Sequence, residues 1–215
     1  MKGSIFFDLD GTLTDPSEGI CAAVRYALTQ MEIPVPQEAV LRSFIGPPLQ
    51  NSFEHVLGLS PHRATQALQL YRWYYGKQGL FENQVYDGIY PLLNALKTQG
   101  RRLVLATSKP EQFAVKILEH FSLLSYFDFL GCASIDDTRR EKADVLRYAL
   151  AQTNICACDA VMIGDRCYDI QGANTVGMEA IGVLYGFGTR QELCKSGASA
   201  LVSSPAQLLS MLCKE

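Results

Sequence analysis

The chain has 215 residues, 48% of them hydrophobic and 19% charged, with a formal net charge of -3. That length suits one large domain or a core domain carrying an insert, and the mildly acidic balance gives no electrostatic footprint for nucleic acid. Apolar runs such as Leu103 to Ala106 and Ala160 to Ile163 are far shorter than the ~20 residues that span a bilayer, so no membrane partner is expected.

Met1-Lys2-Gly3-Ser4 runs directly into an apolar strand, which leaves no room for a secretory signal. The seven cysteines are odd in number and have no Cys-x-x-Cys spacing, which argues against a disulfide framework and for a reducing, cytoplasmic setting. Cys156 and Cys158 are the closest pair, but no second pair or neighbouring histidine completes a zinc set. His55, His62 and His120 are scattered and support no histidine-centred triad.

The first element is Ile5-Phe6-Phe7-Asp8-Leu9-Asp10-Gly11-Thr12, an apolar strand ending in two carboxylates and a glycine turn. Residues i and i+2 of a strand point the same way, so Asp8 and Asp10 can approach one site at its C-terminal end. One can attack while the other moves a proton, and an aspartate nucleophile divides a phosphoryl transfer into two easier displacements. Two acids repel a phosphate dianion, so a cation is required. Mg²⁺ suits the oxygen ligands and binds through one or two carboxylates plus substrate. The bland alternative is a solvated Asp-Gly turn.

Asp15-Pro16-Ser17-Glu18 predicts a helix start, with Asp15 as N-cap, Pro16 at the first helical position and Glu18 completing a capping box. Ile20, Val24, Leu28 and Met31 form an apolar stripe that ends before Pro34 and Pro36. From Gln37 to Lys77 the pattern stays helical, broken at Gly46-Pro47-Pro48 and Gly58-Leu59-Ser60-Pro61, which predicts an insert of about four short helices. Tyr71, Trp73, Tyr74 and Tyr75 cannot all enter one helical stripe. They are expected to pack the insert, with one or two rings facing another surface; lining a substrate pocket is the alternative.

After Tyr86-Asp87-Gly88 helices and strands alternate. Helices are predicted near 89–99, 111–119, 142–152 and 169–176, and strands at 102–106, 127–132, 160–163 and 179–183. This rhythm gives an α/β fold, a doubly wound parallel sheet with a Rossmann-like core, interrupted by an inserted all-helical domain. The core takes residues 1–14 and 87–215 and the insert 15–86.

In such a sheet ligands sit beyond the carboxyl ends of the strands. Thr107-Ser108-Lys109-Pro110 follows one strand and offers a hydroxyl and backbone N–H groups at a helix start, where an anion is stabilised. Lys142 opens an amphipathic helix, and its ammonium could offset charge on a carboxylate and on phosphoryl oxygens. Val161-Met162-Ile163-Gly164-Asp165-Arg166-Cys167-Tyr168-Asp169 is a second apolar strand ending in two acids. It brings at least three carboxylates within reach of one Mg²⁺ site.

The ordered set Asp8-x-Asp10-Gly11-Thr12, Thr107, Lys142 and Gly164-Asp165-x3-Asp169 resembles the haloacid dehalogenase superfamily of phosphohydrolases over essentially the whole chain. The insert resembles the cap of its phosphoglycolate phosphatase-like branch. Phe44-Ile45-Gly46-Pro47-Pro48-Leu49 and Thr107-Ser108-Lys109-Pro110 look most like members grouped with 5′-nucleotidases and phosphoglycolate phosphatases. The resemblance implies Asp8 as nucleophile and Mg²⁺ ligand, Asp10 as general acid/base that lends its carbonyl to the metal, and Asp165 as the remaining metal ligand. It places Asp169 in the outer shell of the metal, and Thr107, Ser108 and Lys142 on the phosphate. Arg139 and Arg140 compete for the Lys142 role; Lys142 is preferred for its place at the helix start.

The expected function is Mg²⁺-dependent hydrolysis of a small phosphate monoester, phosphoglycolate or a nucleoside monophosphate, through an aspartyl phosphate. The expected state is a monomer or weak homodimer. A phosphomutase and a non-catalytic binding protein on the same fold are the alternatives. Asp10 argues against haloacid dehalogenation, which needs neither that acid nor a metal.

Overall fold

The computed structural model describes residues 2–134 and 139–213. Met1, which opens the segment before the first strand, lies outside the described residues.

The described chain divides into two compact units, Met1–Thr14 with Val85–Glu215, and Asp15–Gln84. In the first, six strands form one parallel sheet: β1 (Ser4–Phe7), β4 (Arg102–Pro110), β5 (Phe129–Ala133), β6 (Ala160–Gly164), β7 (Glu179–Val183) and β8 (Ala200–Val202). Their order is β5-β4-β1-β6-β7-β8. β1 sits centrally, pairing Phe6 with Val104 on one side and with Met162 on the other. The chain builds outward to β5, then returns to the opposite side of β1. Strand order therefore reverses between β1 and β6, which opens a crevice beyond their carboxyl ends.

The strands are apolar because both faces are covered. On one face Phe6, Val104, Ala106, Ala160, Met162 and Ala180 meet Val145, Leu146 and Ala149 of α7 (Lys142–Thr153) and Ile170 and Ala173 of α8 (Cys167–Thr175). The alternate residues Ile5, Phe7, Leu103, Leu105, Val161 and Ile163 are also buried. The remaining core helices are α5 (Ile89–Thr98), α6 (Glu111–His120), α9 (Arg190–Lys195) and α10 (Pro205–Cys213).

The second unit is built from α1 (Ser17–Gln30), α2 (Glu38–Arg42), α3 (Leu49–His55) and α4 (Pro61–Tyr74), followed by a π-helical turn at Tyr75–Gly79. Helix α1 starts one residue later than the sequence pattern predicts. Asp15 belongs to the two-residue strand β2 (Thr14–Asp15), which pairs with β3 (Gln84–Val85), and Asp15 Oδ1 accepts from Ser17 N at 2.9 Å. The side chain thus still satisfies an orphan N–H of the first turn. Ile20, Val24 and Leu28 are buried as the stripe requires. Of the aromatic cluster, Tyr71 and Tyr75 are buried and stacked at 5.3 Å, whereas Trp73 is 50% exposed and stacks on Tyr26 at 5.2 Å.

β4, β5 and β6 differ in extent from the sequence expectation, β6 only by Gly164 at its end, and no strand is predicted at β8. β4 continues beyond Ala106 to Pro110, with a register shift between Thr107 and Pro110. β5 begins at Phe129 rather than Phe127, and β8 and its neighbouring helices follow the last predicted strand.

Phe6 lies at the centre of the sheet with no exposed surface. Phe6→Ala will cost about 3–5 kcal/mol through lost burial and a residual cavity, read as a lower urea midpoint at unchanged m-value.

Candidate active site

The tips of β1, β4 and β6 carry the polar groups that an apolar sheet otherwise lacks. Asp8 follows β1, and its N–H donates to Ile163 O of β6 at 2.9 Å, so the sheet ladder itself positions the carboxylate. Asp165 follows β6, and Asp169 lies in the first turn of α8. Carboxylate oxygens of Asp8, Asp165 and Asp169 lie within 4.8 Å of one another.

One ammonium holds this cluster. Lys142 Nζ is 2.8 Å from Asp8 Oδ1 and 2.8 Å from Asp169 Oδ1, and it donates to Ala106 O at 2.9 Å. Its stem fits because α8 carries Gly172, where a Cβ would meet Lys142 Cγ at 2.8 Å. Burial alone would lower the lysine pKa, but the Asp169 and Asp8 carboxylates outweigh it and raise the value. Arg139 is engaged elsewhere: its Nε donates to Cys132 O at 2.7 Å, and its guanidinium covers the Tyr148 ring.

Asp10 pairs with a different cation. Lys109 Nζ lies 2.9 Å from Asp10 Oδ2, with the lysine side chain 7% exposed. The bulge in β4 aims it there. Thr107 pairs with Cys132 and Pro110 with Ala133, so Ser108 and Lys109 loop out of the ladder, while Thr107 Oγ1 accepts from Lys109 N at 3.2 Å. Thr107 is buried at the tip and Ser108 is exposed. Burial pushes the Asp10 carboxyl up and Lys109 opposes that shift.

Asp165 is held by a loop that the sequence pattern did not single out. Its Oδ2 accepts from Phe187 N at 2.8 Å. Gly11 packs against the same side chain at φ 80°, and a Cβ there would meet Asp165 Oδ2 at 2.2 Å. Behind the site, Glu192 Oε1 accepts from Arg166 Nε and Cys167 N, each at 2.9 Å, anchoring the start of α8.

The donor set fits a hard divalent cation. Three carboxylates against the Lys142 ammonium leave an excess of two negative charges (three minus one). Burial, with repulsion from Asp169 and Asp8, pushes the Asp165 carboxyl well above its ordinary range, and burial raises Asp169 to about 6 against the pull of Lys142. Asp165 Oδ1 is buried with no hydrogen-bond donor, a costly state that a cation relieves. Both Asp169 oxygens are engaged by protein groups, Oδ1 facing Lys142 and Oδ2 accepting from Arg166 N at 3.0 Å. Asp8 Oδ1 also lacks hydrogen-bond alignment, yet at 2.8 Å it faces the Lys142 charge and is electrostatically satisfied.

The sequence reading named Asp8, Asp10, Thr107, Lys142, Asp165 and Asp169, which the structure gathers at these strand tips, and Ser108, which loops out of the ladder and is exposed. It missed the Lys109 pairing, whose only trace is a lysine directly after a strand-end Thr-Ser. It also missed the Gly186-Phe187-Gly188 turn, whose trace is a pair of glycines beyond β7.

A sequence profile of haloacid dehalogenase-like hydrolases matches residues 5–183. A protein named 5′-nucleotidase from Pseudomonas aeruginosa is 44% identical over 190 residues, covering 88% of this chain and 86% of its own. Tyrosine-protein kinase PtkA from Mycobacterium tuberculosis is 39% identical over 197 residues, 92% of this chain and 67% of its own. The crystal structure of a predicted phosphatase from Clostridium acetobutylicum superposes with a TM-score of 0.94 at 45% identity, covering both chains in full.

Lys142→Met leaves two buried carboxylates without their ammonium and will destabilise the chain by about 3–5 kcal/mol, measured as a lower melting temperature. The Glu192 carboxyl is held below its ordinary range because its bonds from Cys167 N–H and Arg166 outweigh burial. Its stabilisation is therefore present above the unfolded-state carboxylate pKa and is lost as pH falls through the lower folded value. Glu192→Gln will cost about 1–2 kcal/mol at pH 7, and urea unfolding will show the gap to wild type closing in acid.

Proposed function

The chain belongs to the haloacid dehalogenase-like hydrolase family and is a phosphatase, and from that premise we propose that it hydrolyses a small phosphate monoester through an aspartyl phosphate, with Mg²⁺ as the divalent cation. The observation that carries this reading is the buried cluster of Asp8, Asp165 and Asp169 around Lys142, with Asp165 Oδ1 left without a donor.

Asp8 is the nucleophile in this reading. Its carboxylate attacks phosphorus in line with the leaving oxygen, and Asp10 protonates that oxygen as the ester bond breaks. Burial keeps the Asp10 carboxyl able to hold a proton, and the Lys109 contact fixes its position. In the second half-reaction Asp10 takes a proton from water, the water oxygen attacks the aspartyl phosphate, and Asp8 is regenerated. Lys142 and the Thr107 region hold the phosphoryl oxygens while charge develops on them. Asp8 and Asp165 would bind the cation, with Asp169 oriented by Lys142 and Arg166 N in its outer shell. The cation supplies charge neutralisation at the phosphoryl group. All-oxygen donors with few carboxylates favour Mg²⁺ over softer metals.

The helical unit, residues 15–84, serves as the cap that selects the leaving group. Among substrates, a nucleoside monophosphate ranks ahead of phosphoglycolate, because the 44% identical relative is named 5′-nucleotidase.

The test is phosphate release from nucleoside monophosphates, phosphoglycolate and sugar phosphates, with Mg²⁺ or EDTA. Wild type will turn over with Mg²⁺ and stop in EDTA, and Asp8→Asn will lose activity by at least about 10³-fold while still unfolding cooperatively on heating. Retained turnover in Asp8→Asn would remove the nucleophile assignment. Transfer of phosphate from ATP to tyrosine, with no ester hydrolysis, would favour the activity named for the mycobacterial relative.

A further inference from the structure

Away from the strand tips, Cys156 and Cys158 form a second cluster that the phosphatase chemistry leaves unused. They flank Ala157 at a 3-10 turn, Ala157–Asp159, that leads into the amino end of β6. Asp165 follows the carboxyl end of the same five-residue strand, so the pair lies roughly 16 Å of strand from the carboxylates.

The two Sγ atoms are 2.6 Å apart and both residues are exposed. Sulfur atoms only in van der Waals contact stand much further apart, and a disulfide bond needs about 2.05 Å. The backbone therefore already presents the two thiols almost at bonding distance, on a surface that small reagents reach. The Lys2 ammonium donates to Cys158 O at 2.8 Å and pairs with Glu179 at 3.3 Å, which ties the turn to β7. The thiols are not equivalent. Cys156 caps the amino end of the turn, where the Cys158 thiol, with the backbone N–H groups of Cys158 and Asp159, favours its thiolate, as an attacking thiol requires.

We propose that Cys156 and Cys158 form a reversible dithiol/disulfide site that exchanges with low-molecular-weight disulfides of the glutathione class. The Cys156 thiolate attacks one sulfur of oxidised glutathione, forming a mixed disulfide and releasing one glutathione thiolate. Cys158, giving up its proton, then attacks the Cys156 sulfur, closes the internal disulfide and releases the second glutathione. The protein loses two electrons and two protons, and one glutathione disulfide becomes two thiols. An exposed disulfide of this kind is labile and returns to the dithiol in a reducing pool.

The experiment treats the full-length protein with oxidised glutathione, quenches in acid, alkylates under denaturing conditions and maps peptides by mass. The peptide containing Cys156 and Cys158 will be unalkylated and two hydrogens lighter, and dithiothreitol will restore both alkylation sites. Cys194 of α9 and Cys213 of α10, both exposed, will carry alkyl groups or single glutathione adducts and serve as internal controls. In Cys158→Ser the glutathione adduct will be trapped on Cys156. Because both side chains are exposed, that variant will keep the wild-type melting temperature and phosphate-release rate. Full alkylation of both thiols, a lasting glutathione adduct on either one in the wild type, or disulfides between copies through these residues would each overturn the proposal. A Cys158→Ser variant that carries no adduct on Cys156 would overturn the order of attack.

Discussion

The contact on which the catalytic unit depends is a single buried ammonium. Lys142 reaches the carbonyl at Ala106 in β4, the carboxylate after β1 and a carboxylate in α8. Three elements distant in sequence therefore meet at one charge. Buried carboxylates at this separation repel, and an isolated ionised group in an apolar core is costly. The lysine makes the acids compatible with burial while leaving an excess of negative charge. That excess is what would draw a cation into the crevice. Gly172 is part of the same arrangement, since any side chain there would occupy the space of the lysine stem.

The helical unit treats charge differently. A pocket of about 370 Å³ within it is lined by Asp15, Ser17, Glu18, Cys21, Arg25, Glu38, Arg42, Asn83 and Gln84. Here acids and bases neutralise each other directly: Arg25 hydrogen-bonds Glu38, and Arg42 lies 3.8 Å from the same carboxylate. These side chains are substantially exposed, so their pairing adds little stability. It makes the lining polar without giving it a strong net field. The strand tips, with Asp165 and Asp169 out of contact with solvent, concentrate field where solvent cannot screen it.

The fold was legible in the sequence because its strands are short apolar runs between amphipathic helices, a rhythm that few architectures share. Strand β7 matches the predicted span, and β6 extends the prediction by one residue. The acids of the site were legible because carboxylates at the ends of buried strands have no packing role. What the sequence concealed depends on backbone geometry. β4 was expected to stop where polar residues begin, but its ladder resumes after a bulge, and that bulge is what turns Lys109 toward Asp10. The turn that donates Phe187 N–H to Asp165 acts through main chain, so no side-chain pattern announces it. β8, three residues long, and the six-residue α9 are too short for a hydrophobic period to register.

The position of β1 in the sheet has a further consequence, for the order in which the chain can fold. Ser4 pairs with Arg102 and with Ala160, so β1 has no sheet neighbour until the chain has been made as far as β4. The helical unit, by contrast, is continuous from Asp15 to Gln84, and its contacts close over short loops. Local contacts form first and long-range parallel pairing is slow. The nascent chain thus completes the helical unit while Ile5, Phe6 and Phe7 are still unpaired, an apolar segment in need of protection until β4 arrives. Three core residues with no more than 1% exposure thus wait for partners that lie about 100 residues further along the chain.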